Sequence, residues 1–303
     1  MTCAPAAVVN LRASDIARYL GLPLQGQDIP VLGPSSVPSA TAGSIVFVKR
    51  FSEATASHLN DIREVVVIAT TEFEGVLRTP FLATARPRYE FARVLRRFFR
   101  PPAPSGVAAT AVIDPDVVIP TDVAIGHFCR IGTGAVIGRG TILDDHVCVS
   151  GNTRIGECCH VGAHSVLGHS GFGFEFEPDG VPIRIPHLGG VVLGSHVELG
   201  AHNTVARGTL DDTVLEDSVK TDDHVHIAHN VRIGRRTIIT AAVEISGSVT
   251  VGSDVWLGPN ASINNGVRIA ERALVSIGAV VTRDVEAAVV VAGNPARGVG
   301  PRT

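Results

Sequence analysis

With 303 residues, 45% of them hydrophobic and 18% charged, the chain is long enough to bury a sizeable core, which excludes a disordered or mini-protein reading. A formal net charge of -3 gives no basic field for gripping a phosphate backbone, so nucleic acid is not an expected partner. There is no uninterrupted run of about 18 apolar residues, so no membrane span is expected.

Five cysteines, Cys3, Cys129, Cys148, Cys158 and Cys159, form no CxxC pair, and MTCAPAAVVNLRASD lacks the charged start and apolar core of a secretory signal. A reducing, cytoplasmic setting is the expectation. The 32 Gly and 18 Pro against 5% aromatics suit neither a helical bundle nor an aromatic sandwich core, and direct attention to repeats.

Residues 1–105 read as a small α/β unit. LRASDIARYLGL carries Ser14 as an expected N-cap and a Gly stop around apolar residues at helical spacing, and SIVFV and EVVVIAT are short β-branched runs. RPRYEFARVLRRFF forms a second amphipathic helix, which RPPAPSG ends as a linker, because proline removes a donor and disfavours helix before it.

From residue 106 to 285 the pattern changes. Aliphatic residues recur every six positions from Ile113 through Ile119, Ile125, Ile131, Ile137, Leu143, Val149, Ile155 and Val161 to Leu167. Even at one aliphatic residue in three, ten such hits in a row would arise on the order of once in 10^5 trials. The spacing resumes from Ile227 to Val281, while Leu193, Leu199 and Val205 sit in a shifted phase, which places a short bulge at RGTLDD. A period of six fits a short strand plus a turn, repeated with one side chain inward, which is a parallel β-helix with three hexads per coil. Residues 18 apart should then stack, and the hexad-end glycines Gly126, Gly132, Gly138, Gly156, Gly162 and Gly168 are expected at corners with positive φ. An aromatic-rich insertion, 169–190, interrupts the hexads, either as a functional loop or as a lid over apolar surface.

The densest polar segment is KTDDHVHIAHN, with Asp222, Asp223, His224, His226 and His229 inside one repeat. One chemistry it fits is a single histidine acting as general base with a carboxylate partner. The other is a metal site, since the His224 to His229 spacing resembles a ligand pair of the gamma-class carbonic anhydrases, with His196 or His202 as the third ligand. Gly247 lies 18 residues beyond His229 and should stand directly over it.

SIVFV, SGFGF, RIPHLGGVVLG, VELGAHNTVARGTLDDTV and above all HVHIAHNVRIG resemble the UDP-3-O-acylglucosamine N-acyltransferases of lipid A biosynthesis along nearly the whole chain. The resemblance implies a mainly β protein: a left-handed parallel β-helix behind a small α/β domain that holds the uracil, assembled as a homotrimer with active sites between subunits. It implies His229 as catalytic base, Asp222 as its carboxylate partner and the Gly247 N–H as oxyanion donor. Phe47 and Phe51 are the uracil-stacking candidates, and Phe174, His187 and Asp223 the further substrate-binding ones. It also implies a UDP-amino sugar as acceptor and an acyl thioester as co-substrate, with no bound cofactor and no metal.

Two positions depart from that pattern. Gly266 stands where the family carries a second histidine. The tail, 286–303, with VVTRDVEAAVVVAGNPARGVG, looks like those of sugar acetyltransferases that use coenzyme A rather than the helices that engage acyl carrier protein. Arg297 and Arg302 are therefore candidate donor-binding residues. An O-acetyltransferase using acetyl coenzyme A, and a metal-dependent anhydrase-like protein or an inactive scaffold, stay open as alternatives.

Overall fold

The computed structural model describes residues 10–302; residues 1–9, among them Cys3, and Thr303 lie outside the described residues. Two compact units are formed, Met1–Ala103 and Pro104–Thr303.

In the first unit a five-stranded sheet runs Leu24–Gln25, Phe81–Ala83, Val66–Ala69, Ser44–Val48, Gly33–Pro34. All neighbours are parallel except Leu24–Gln25 with Phe81–Ala83. Because strand side chains alternate between faces, Ile45, Val66, Ile68 and Leu82 pack on one side with helix Ala13–Leu20 and Val94, while Val46, Val48, Val67 and Phe81 pack on the other with Ala56 and Leu59. Helix Ala13–Leu20 ends at Gly21, in the left-handed region at φ 69°, as the sequence suggested, but Arg12 rather than Ser14 is its N-cap. The Ser14 hydroxyl instead donates to Asp28 at 3.0 Å.

The second unit is a parallel β-helix of three sheets with seven, eleven and nine strands. Ile227, Ile245, Ile263 and Val281 pair rung on rung, all buried in one continuous core. Rungs 18 residues apart hold over most of the unit. The spacing rises to 38 where the 169–190 insertion leaves the wall and to 22 across the Arg207–Asp212 bulge. The insertion forms an antiparallel hairpin of Phe174–Phe176 with Pro182–Arg184. The tail folds Val289–Ala292 against Arg297–Pro301, and Val290 continues the eleven-stranded sheet beside Leu274.

Each coil has three corners. The first follows strands of the eleven-stranded sheet, the second those of the nine-stranded sheet, and the third those of the seven-stranded sheet. Positive φ falls on the second turn residue, as at His146, His164, Asn230 and Ser248. Of the six glycines expected there, only Gly168 has it. Gly138 and Gly156 are required for another reason: a Cβ at either would lie 2.5 Å from the backbone of the adjacent coil, so they permit close stacking of turns.

Candidate active site

The second corner collects the chemistry. His229 follows strand His226–Ile227, Gly247 follows Glu244–Ile245, and both the 169–190 insertion and the Arg207–Asp212 bulge leave from this same corner, after Val166–His169 and Thr204–Ala206. The stacking expected from the 18-residue repeat is present. Ser248 N–H donates to the His229 carbonyl at 2.9 Å, and a Cβ on Gly247 would lie 2.7 Å from His229 Cε1 and 2.8 Å from Nε2. The absence of a side chain at 247 therefore leaves the ring its place.

The insertion folds back over this corner. A Cβ at Gly171 would come within 2.9 Å of His187 Nε2 and 3.1 Å of His229 Cβ, and the His187 and His229 rings meet edge to face with centroids 5.0 Å apart. His187 is 6% exposed. Its Nδ1 donates to the Ile185 carbonyl at 3.0 Å, which leaves Nε2 of the neutral ring as an acceptor, and that buried atom has no hydrogen-bond partner among the described residues. Such an unpaired lone pair is costly unless something fills it. Burial pushes the His229 pKa below that of an ordinary histidine, and a proton on the neighbouring His187 would push it the same way.

Asp222 does not hold this ring. It sits at the first corner, where its Oδ1 accepts the Asp223 N–H at 2.9 Å. Asp223 is at that corner too and accepts the Ala201 N–H at 2.7 Å, tying one turn to the next. The ring nitrogen Nδ1 of His229 instead faces Asn230 Nδ2 at 3.1 Å. Sequence reasoning missed Asn230 and Thr209. Both lie in the quoted strings IAHN and RGTLDD, but the bulge was read only as a change of register.

The metal-ligand set does not converge within the chain. His224 and His202 stack on each other at the first corner, ring centroids 5.1 Å apart, whereas His196 lies at the third and His229 at the second. Among the described residues no group of three His, Cys, Asp or Glu side chains is placed to hold a metal ion. Gly266 has open space where a side chain would be. Phe174 packs against Phe172 with tilted rings, centroids 4.9 Å apart, and carries the Arg184 guanidinium over its ring at 4.5 Å.

The first unit has its own candidate subsite, an open cleft of about 710 Å³ lined by Lys49, Arg50, Phe51, Thr70, Thr71, Glu72 and Ala85. It lies at the carboxyl ends of strands Ser44–Val48 and Val66–Ala69, where parallel α/β sheets bind ligands. Phe51 borders it, braced by Phe73 at 4.9 Å. Phe47, the other uracil-stacking candidate, packs instead against Phe91 at 5.0 Å and the core behind the strand. In the tail, Arg302 Nη1 donates to the carbonyls of Asp254, Arg272 and Ala273. It clamps the third corner, so its guanidinium is committed to backbone. Arg297 is exposed, and its side chain donates to the carbonyl of Ala296.

No protein-family model matches the chain. It is 33% identical to the UDP-3-O-acylglucosamine N-acyltransferase of Bordetella pertussis, over 91% of this chain and 86% of that protein. The chain belongs to this family. The enzyme of the same name from Delftia acidovorans is also 33% identical, over 91% and 84% of the two chains. Among solved structures, LpxA from Acinetobacter baumannii matches at a TM-score of 0.59 and 29% identity, covering 64% of this chain and 74% of that one. The UDP-N-acetylglucosamine O-acyltransferase of Moraxella catarrhalis matches at 0.60 and 25%, covering 65% and 75%. The family's β-helix is left-handed, and so is this one. That handedness runs against the usual right-handed parallel crossover, and a period of six does not encode it. No helix among the described residues is long and apolar enough to cross a membrane.

Proposed function

We propose that the protein moves an acyl group from a thioester donor to the amine of a UDP-linked amino sugar, with His229 as general base. The observation that supports this most is the His229 ring set against Gly247 beneath a folded-over insertion, in a chain that carries the family's sequence along 91% of its length. The amine nitrogen attacks the thioester carbonyl, the N–C bond forms, and the negative charge passes to the carbonyl oxygen. The proton released by the amine goes to His229, the C–S bond breaks, and the thiolate leaves with that proton. One well-placed N–H at the oxyanion is worth roughly 3 kcal/mol, and Gly247 is our candidate for it.

In this reading the uracil stacks on Phe51 in the cleft of the first unit, and His187 offers its free Nε2 to an N–H or O–H of the acceptor sugar. The active assembly is a homotrimer in the cytoplasm, which leaves Asp222 and Asp223 to act on a neighbouring chain's second corner. Both acyl carrier protein and coenzyme A stay in play as donors. The test is mass spectrometry of products from UDP-amino sugars offered with acyl coenzyme A or acyl-loaded carrier protein. An amide product with either donor is expected. Ester products alone would favour the O-acyltransferase alternative, and no product with any UDP-amino sugar would reject the proposal.

A further inference from the structure

The groups around Nδ1 of His229 define its protonation state. Thr209 N–H, on the bulge, donates to Asn230 Oδ1 at 2.7 Å. A backbone amide can only donate, so this bond fixes which end of the Asn230 side chain is oxygen. The NH2 end then faces the ring, 3.1 Å from His229 Nδ1 and 3.3 Å from Thr209 Oγ1. An amide NH2 can also only donate. Nδ1 is therefore an acceptor, the ring is neutral, and its hydrogen sits on Nε2, the nitrogen against Gly247.

Asn230 is itself held at several points. Its backbone is left-handed at φ 60°, and its N–H donates to Thr213 Oγ1 at 2.9 Å. Gly208 closes the bulge beneath it, where a Cβ would lie 3.0 Å from Asn230 Oδ1. The Arg207–Asp212 bulge thus has a purpose beyond changing the register of the coil: it brings a backbone donor to the side chain that faces Nδ1.

We infer that Asn230, rather than a carboxylate of the same chain, is the positioning residue that sets the protonation state of His229, holding the resting imidazole neutral with its hydrogen on Nε2. The inference rests on the reading of His229 as the base. An imidazolium would have to place a hydrogen on Nδ1, directly against an N–H donor, so Asn230 opposes protonation. Burial acts in the same direction. His187 is the titratable group facing the ring from the insertion; along the axis Gly247 stands against the ring and Asn265 of the following coil stands against Gly247. On the bulge, Asp212 is committed to Arg154 and to the Gly190 N–H. To accept the amine's proton at Nε2 the ring must move its own hydrogen to Nδ1, which requires the amide to let go. Asn230 therefore holds the ring against protonation as long as its amide stays at Nδ1.

Nitrogen-resolved NMR of the full chain, with the His229 signals assigned by their loss in His229→Gln, tests this without reference to turnover. The parent ring should be neutral, in the Nε2–H form, and titrate below pH 6.5, the ordinary value. Asn230→Asp is isosteric and keeps an oxygen for Thr209. It puts a carboxylate at Nδ1, and should switch the hydrogen to Nδ1 and raise the ring's titration by about one pH unit or more. Asn230→Ala should abolish the tautomer preference with a smaller rise. A parent ring carrying its hydrogen on Nδ1 would overturn the inference, and so would an Asn230→Asp ring that titrates where the parent does. Full activity in His229→Ala would instead reject the base assignment and leave the tautomer result standing.

Discussion

The first and second corners of the same β-helix both carry histidines, and they differ in almost everything but the residue. At the first corner His146, His164, His202 and His224 occupy the second turn position, with φ near 60°. Their rings form a column with successive centroids 4.6, 4.8 and 5.1 Å apart, capped by Phe128, and all four are exposed. At the second corner His229 occupies the first turn position, and Asn230 takes the left-handed one. The insertion and bulge cover that corner, and the ring gains His187, Asn230 and Gly247 as neighbours. One position of register within the turn, and the choice of corner from which the extra chain departs, separate a solvated ladder from a site with a perturbed histidine.

Substitution at the second corner should have the largest effect. His229→Ala is expected to lower kcat by about 10^2 to 10^4, the usual contribution of a general base, with an unchanged circular dichroism spectrum; turnover within a few-fold of the parent would remove the distinction between the corners. Gly247→Ala comes next. Its methyl would meet His229 Nε2 at 2.8 Å and Asn265 Oδ1 at 3.0 Å, so the ring must shift, and a displacement of this kind can lower kcat by about 10^2. Steady-state kinetics at saturating acceptor measure it.

In the first unit, Phe51→Ala should weaken UDP binding, by up to about 1–3 kcal/mol if stacking there resembles that on single-stranded bases. Phe47→Ala should leave UDP affinity alone and cost stability instead, at most about 3 kcal/mol for a half-buried phenyl. Calorimetric titration and urea melts of the two variants separate these outcomes, and reversed results would return the uracil to Phe47. The smallest effect is expected at the ladder. His202→Ala should change stability by no more than about 0.5 kcal/mol, as surface substitutions usually do, and leave kcat within about twofold. A large loss there would mean that the exposed column, too, takes part in the reaction.

Much of this site could be read from the amino-acid pattern because stacking in a β-helix is local and linear. Ile113 to Leu167 at sixfold spacing predicts the coil, and 18-residue arithmetic along the axis puts Gly247 over His229. The 169–190 insertion and the RGTLDD bulge are visible as breaks in phase. The same arithmetic says nothing about position around the coil. Asp222 and Asp223 are only seven and six residues from His229 in sequence, yet one full side of the triangle lies between them. The resemblance therefore implies a pair that the single chain does not form, however near the two residues lie in the string.

The sequence by itself determined the β-helix, the places where it is interrupted, the family and the histidine at the centre of the site, since each is written in spacing or in long ordered strings that need no knowledge of what packs against them. Tertiary structure decided which groups surround that histidine. The insertion had to fold back before His187 could lie against His229 with its Nε2 unpaired, and the bulge had to carry Thr209 to Asn230 before the amide's direction was fixed. The sheet's packing turned Phe47 inward and left Phe51 at the cleft, and the tail committed Arg302 to three carbonyls. These outcomes depend on hydrogen-bond geometry and burial between segments far apart in the chain, and neither is set by residue type or period.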